Sequence, residues 1–93
     1  MIRGFQCKKT ERLFHRERVT EFASIAAVAL RRLVALDSAQ ALSDLRIPPG
    51  NRLEALGGDR NGQHSIRIND QYRICFTWRD GNAEDVEITK HYR

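Results

Sequence analysis

Two arginines are the residues of this chain best placed to do chemistry. His64, Ile66 and Ile68 alternate with Ser65 and Arg67, and Tyr72, Ile74, Phe76 and Trp78 alternate with Arg73, Cys75, Thr77 and Arg79. A period of two marks strands with one apolar face. A two-residue loop at Asn69-Asp70 would set Ile68 against Gln71 and Ile66 against Arg73, mixing apolar and charged residues on each face. A three-residue loop, Asn69 to Gln71, sets Ile68 opposite Tyr72 and Ile66 opposite Ile74, and keeps the core face apolar. It also sets Arg67 directly opposite Arg73, with no carboxylate between them in that register. Like charges so placed repel. An anion across both guanidiniums relieves the repulsion, and a phosphate matches their forked geometry. The plainer alternative is a water-covered face on which the pair is tolerated.

Val86 and Ile88 alternate with Asp85, Glu87 and Thr89 in a further strand. A three-residue loop at Asp80-Gly81-Asn82 would place Phe76 opposite Val86, Ile74 opposite Ile88, Arg73 opposite Thr89 and Cys75 opposite Glu87. His91 then reaches the arginine face beside Gln71. Around the pair the chain offers Ser65, Glu87, Lys90, His91, Tyr92 and Arg93, with Glu54 available from the preceding strand if its register allows. Cleaving RNA through its own 2′-hydroxyl needs a base, a cation for the crowded phosphorane and an acid for the leaving oxygen. Arg73 is the natural charge stabiliser. His91 and Glu54 are candidate proton carriers, and Tyr92 could stack on a base or donate a proton. Arg67, Ser65, Lys90 and Arg93 are candidates for holding the RNA. No two histidines are placed to serve as acid and base together, so such a catalyst would need an external scaffold to orient its substrate. His64 reads as a partly buried strand residue and His15 as a surface one.

The elements that position these residues follow from the remaining pattern. Ile2 to Cys7 reads as a short strand. Thr10, as N-cap, would open a short helix to Arg18 with Leu13 and Phe14 inward. From Thr20 to about Asp37, Phe22, Ile25, Ala29, Leu33 and Leu36 fall at steps of three and four. This stripe marks the main core helix, with Thr20 as its N-cap and Glu21 against the helix dipole. Ser38 to Leu45 adds a further turn, and Pro48-Pro49-Gly50 ends it. Leu53 and Ala55 alternate with Arg52 and Glu54, and Gly57 to Gly62 form a loop. Helices first and strands second predict an α+β fold: two N-terminal helices packed on a small antiparallel β-sheet.

Composition bounds the rest. Ninety-three residues, 41% hydrophobic and 30% charged, suit one small folded domain over residues 1–93. Its core is thin, which argues against a deep cavity for a large cofactor. The longest apolar run, Ile25 to Leu30, is far short of a membrane span, and the first residues lack the apolar stretch of a signal peptide. A cytoplasmic protein is expected. The net charge of +4 comes from thirteen Arg and three Lys against twelve acidic residues. A merely basic surface and an anionic partner, nucleic acid or acidic protein, both account for that. Cys7 and Cys75 form no CxxC pair, and the three His do not complete a zinc site. No metal or cofactor is expected.

The second half also resembles a known family. The stretch Asn51-Arg52-Leu53-Glu54-Ala55-Leu56 leads through Gly58-Asp59-Arg60 to Gly62-Gln63-His64-Ser65-Ile66-Arg67. Asp70-Gln71-Tyr72-Arg73-Ile74-Cys75-Phe76 and Val86-Glu87-Ile88 follow, and Met1-Ile2-Arg3-Gly4-Phe5 fits at the start. These motifs resemble the HigB branch of the RelE/ParE toxin superfamily. The resemblance implies an mRNA endonuclease that cuts in the ribosomal A site, inhibits translation and is neutralised by a helix-turn-helix antitoxin of the HigA kind. It also implies that Arg73 contacts the scissile phosphate and that Arg67 stands where related toxins place a basic residue. The chain departs from the commoner pattern at Glu54, where relatives carry His. It departs again in the ending Lys90-His91-Tyr92-Arg93, where they often close with Asp-Tyr-His. Weak catalysis would follow. A ParE-like inhibitor of DNA gyrase and a non-catalytic RNA- or protein-binding module are the alternatives on the same fold.

Overall fold

The computed structural model describes residues 1–90. His91, Tyr92 and Arg93 lie outside the described residues. Two helices, α1 (Lys8–Phe14) and α2 (Ala26–Ser38), precede four strands: β1 (Glu54–Ala55), β2 (Gln63–Arg67), β3 (Tyr72–Arg79) and β4 (Asn82–Lys90). The strands form one antiparallel sheet in chain order. This is the α+β arrangement expected, with both helices on one face of the sheet.

The apolar stripe of α2 explains the packing. Ala29, Leu33 and Leu36 are fully buried against Ile66, Ile74, Phe76 and Val86 of the sheet, with Leu13, Phe22 and Leu45 closing the core. Side chains alternate across a strand, so Arg67, Arg73 and Thr89 turn to the other face, away from the helices.

The helix starts differ from expectation. Helix α1 begins at Lys8, and Thr10 lies inside it, buried. Its hydroxyl oxygen is taken by the Ile88 N–H of β4 at 3.0 Å. Among the described residues no regular strand pairs with this edge of β4, so the Thr10 oxygen satisfies a donor that the sheet leaves open. Thr20 is no N-cap either. Thr20–Phe22 form a separate 3₁₀ turn that seats Phe22, and α2 starts only after Ile25, whose φ of −118° and ψ of 1° are not helical. The expected extra turn is a 3₁₀ turn at Leu42–Arg46, where Asp44 Oδ2 accepts from the N–H groups of Gln40 and Ala41.

The first residues do lie along β4, in parallel, at two isolated bridges: Ile2 with Ala83 and Phe5 with Val86. Between them β4 bulges. Asp85 has φ of 52°, and the pairing with β3 shifts between Cys75 and Thr77. The β3–β4 loop is correspondingly two residues, Asp80-Gly81, both at positive φ, with Arg79 paired to Asn82. The expected three-residue loop is therefore wrong. The expected partners Ile74–Ile88, Cys75–Glu87 and Arg73–Thr89 are nonetheless present, because the bulge restores the missing residue.

Candidate functional site

The β2–β3 loop sets the site. Asn69 Oδ1 accepts from the N–H groups of Gln71 and Tyr72, each at 2.8 Å, and the Ile68 N–H bonds to the Tyr72 carbonyl. This side-chain turn fixes the three-residue loop. It delivers the pairs Ile66–Ile74 and Arg67–Arg73. One residue pair further along, Ser65 stands between Glu54 of β1 and Cys75 of β3.

Extending the β1–β2 register by two positions, past Leu53 and Ile66, brings Arg52 opposite Arg67. Arg52 precedes β1 and is left-handed, with φ of 45° and ψ of 58°, at the end of the 3₁₀ turn Pro49–Asn51. Its side chain lines the same cleft. Arg52, Glu54, Ser65, Arg67, Asn69, Asp70, Tyr72 and Arg73 surround an open cleft of about 60 Å³. That is room for a phosphate-sized group and a few waters, not for a nucleotide enclosed on all sides.

The three guanidiniums differ in their partners. Arg67 Nη2 pairs with Asp70 Oδ1 across the turn at 2.5 Å. A carboxylate does therefore stand beside the arginine pair, contrary to the register-only reading, because the turn folds Asp70 back toward Arg67. Arg73 has no ion-pair partner among the described residues, and its Nε is buried without a hydrogen bond. Arg52 is exposed and likewise unpaired among the described residues. Glu54, also exposed, is the other carboxylate lining the cleft.

Beside the cleft, the loop turn Gly58–Arg60 lays Arg60 across the same sheet face. Its guanidinium pairs with Glu87 at 2.8 Å and bonds to Gln63 Oε1 at 2.9 Å, so it ties β4 to β2 above Cys75. The hydrogen bond to Glu87 raises the Arg60 pKa above its ordinary value. Glu87 is thus occupied by Arg60 rather than by the cleft.

The structure brings together Glu54, Ser65, Arg67 and Arg73 of the residues singled out in the sequence. Lys90 does not itself line the cleft: it pairs with Tyr72, which does, and its ammonium lies 5.8 Å from the Tyr72 ring centroid. Sequence reasoning missed Arg52, Asn69 and Asp70. Arg52 was within reach, since it shares the polar side of the Arg52–Glu54 alternation.

A family model described as the RelE-like toxin of the type II toxin-antitoxin system HigB matches residues 3–91. The chain belongs to this HigB-like toxin family. Toxin HigB-1 of Vibrio cholerae is 52% identical over 69 residues, covering 74% of this chain and 73% of the relative. An uncharacterized protein of Haemophilus influenzae is 30% identical over 69 residues, covering 74% of this chain and 68% of its own. Among solved structures, the YoeB–YefM complex from Staphylococcus aureus matches with a TM-score of 0.59 at 18% identity, over 99% of both chains. A heterotetrameric YoeB–YefM toxin–antitoxin complex from the same organism matches with a TM-score of 0.58 at 16% identity, over 100% of this chain and 99% of that one. At such identities the likeness is one of fold, and the HigB-like toxin has the RelE-type architecture.

Proposed function

We propose that this HigB-like toxin is an mRNA endonuclease that acts on the ribosome and is held inactive by a helix-turn-helix antitoxin. The observation that carries the reading is Arg73, a guanidinium with no ion-pair partner among the described residues and a buried, unbonded Nε, in a phosphate-sized cleft that also holds the carboxylate of Glu54. Glu54 accepts the 2′-hydroxyl proton, the 2′-oxygen attacks phosphorus, and Arg73 stabilises the charge gathering on the phosphorane. The bond to the 5′-oxygen breaks and His91 or Tyr92 supplies its proton, leaving a 2′,3′-cyclic phosphate and a 5′-hydroxyl. The open cleft grips one phosphate and little else, so the rest of the message needs a second body to orient it. The ribosome serves as that body.

The test is to incubate the protein with programmed ribosomes and map the mRNA ends. Codon-spaced cleavage by the wild type and its loss with Arg73→Ala are expected. Absence of cleavage by the wild type, or equal cleavage by Arg73→Ala, would overturn the reading.

A further inference from the structure

Three arginines line the cleft, from the turn before β1, from β2 and from β3, and the middle one is ion-paired. Arg67 spends its charge on Asp70, while Arg52 and Arg73 flank it without partners among the described residues. All three line one cleft. We propose that Arg52 is a second RNA-phosphate ligand that works with Arg73, and that Arg67 is the spacer between them. This rests on the RNA reading above.

The backbone at Arg52 supports a role outside stability. Its φ of 45° belongs to the region where glycine is at ease and a Cβ is strained. Its N–H bonds to the Pro49 carbonyl at 3.1 Å, which any residue could do. An arginine here costs strain, makes no ion pair among the described residues and faces the cleft. Those features suit a ligand-binding side chain in an unfavourable backbone setting. Two phosphates of one strand would then be gripped at once, one at Arg73 and a neighbour at Arg52, so the strand runs along the line between β3 and the turn before β1.

The experiment measures affinity for a short 2′-O-methyl RNA, which cannot be cleaved because its 2′-oxygen is blocked, over a series of salt concentrations. Each phosphate contact on a single strand contributes about 0.7 to the slope of log affinity against log salt. Arg52→Gly should lower the slope by about 0.7 and weaken binding about eightfold at roughly 50 mM salt. Its melting temperature should not fall, because glycine relieves the left-handed residue. Arg73→Gln should lower the slope by the same amount, the charge-neutral double variant Arg67→Gln, Asp70→Asn should lower it by less, and Arg52→Lys should largely restore it. An unchanged slope for Arg52→Gly, an equal loss for the Arg67→Gln, Asp70→Asn double variant, or no binding by the wild type would overturn the proposal. So would a loss of affinity for a poly-glutamate peptide with RNA binding intact, since that assigns Arg52 to an acidic protein partner. Failure of the nuclease reading is distinct: uncleaved mRNA on ribosomes alongside normal oligomer binding.

Discussion

Arg73 combines a fixed charge with a fork of donors, and a phosphorane presents equatorial oxygens that a fork can bridge. Removing a donor of this kind commonly costs about 10²–10³ in rate. Single-turnover cleavage should therefore fall by about that factor in Arg73→Ala. Arg73→Lys should recover only part of it, since an ammonium keeps the charge and loses the fork. Recovery of full rate by lysine would reduce the role of Arg73 to bare charge. A second prediction concerns the pair Lys9–Glu21, which joins α1 to the following 3₁₀ turn. The hydrogen bond from Lys9, with its charge and that of Arg12, lowers the Glu21 pKa. A depressed carboxylate stabilises the fold above its ordinary pKa and loses that contribution as pH falls through the lowered value. Lys9→Met should raise the Glu21 midpoint in an NMR titration and reduce stability at neutral pH relative to strongly acid pH. The side chains are exposed, so added salt should weaken the effect. At this scale legibility depends on whether a partner is set by strand pairing. Arg67 opposite Arg73 follows from alternation alone. The Asp70 partner of Arg67 depends on how Asn69 winds the turn, and no spacing rule announces it.

The β3–β4 hairpin shows what alternation reads and what it passes over. The three-residue loop predicted from the core pairs would set Glu84 opposite Trp78 on the apolar face. The observed turn sets Ala83 there, buried, and gives Glu84 to Thr77 on the polar face, where it pairs with Arg79 at 3.3 Å. The Asp80-Gly81 dipeptide is a strong signal for a two-residue turn with both residues at positive φ. It was legible, and it conflicted with Ile74–Ile88 pairing until a bulge was allowed. The bulge at Asp85 resolves both demands. The capping residues misled for a related reason: Thr10 and Thr20 have the right side chains for N-caps, but tertiary contacts take precedence over local capping. Two substitutions probe these elements. Gly81→Ala should cost about 1–2 kcal/mol in urea unfolding, from the positive φ of 77° alone. The nearest atom to an added Cβ, the Gln40 carbonyl oxygen, is at an ordinary 3.7 Å. Thr10→Val should cost about 1–3 kcal/mol, because the buried Ile88 N–H loses its acceptor.

The molecule divides its work between the two faces of one sheet. The helix face carries the buried apolar groups and hence the stability, and this was the most readable part of the sequence, because a stripe at steps of three and four and strands of period two have few ways to close. The other face carries the cleft arginines. The basic stretch of α1 and its flanks is partly spent within the chain. Lys9 pairs with Glu21, Arg12 with Glu17, and Arg16 donates to the Phe14 carbonyl. Lys8 and Arg18 are exposed and carry no ion pair among the described residues. Charges of that kind act at long range, steering encounter with a polyanion, and they fade with ionic strength. On the proposed nuclease reading, the cleft arginines act at contact, on the complex already formed. The double variant Lys8→Glu, Arg18→Glu should therefore slow association with ribosomes by up to about tenfold at low salt. It should approach the wild type at high salt and cleave bound message at the wild-type rate. Stopped-flow association and single-turnover cleavage separate the two steps. A slower cleavage step in the double variant would bring α1 into the reacting complex, and the division of labour between the faces would fail.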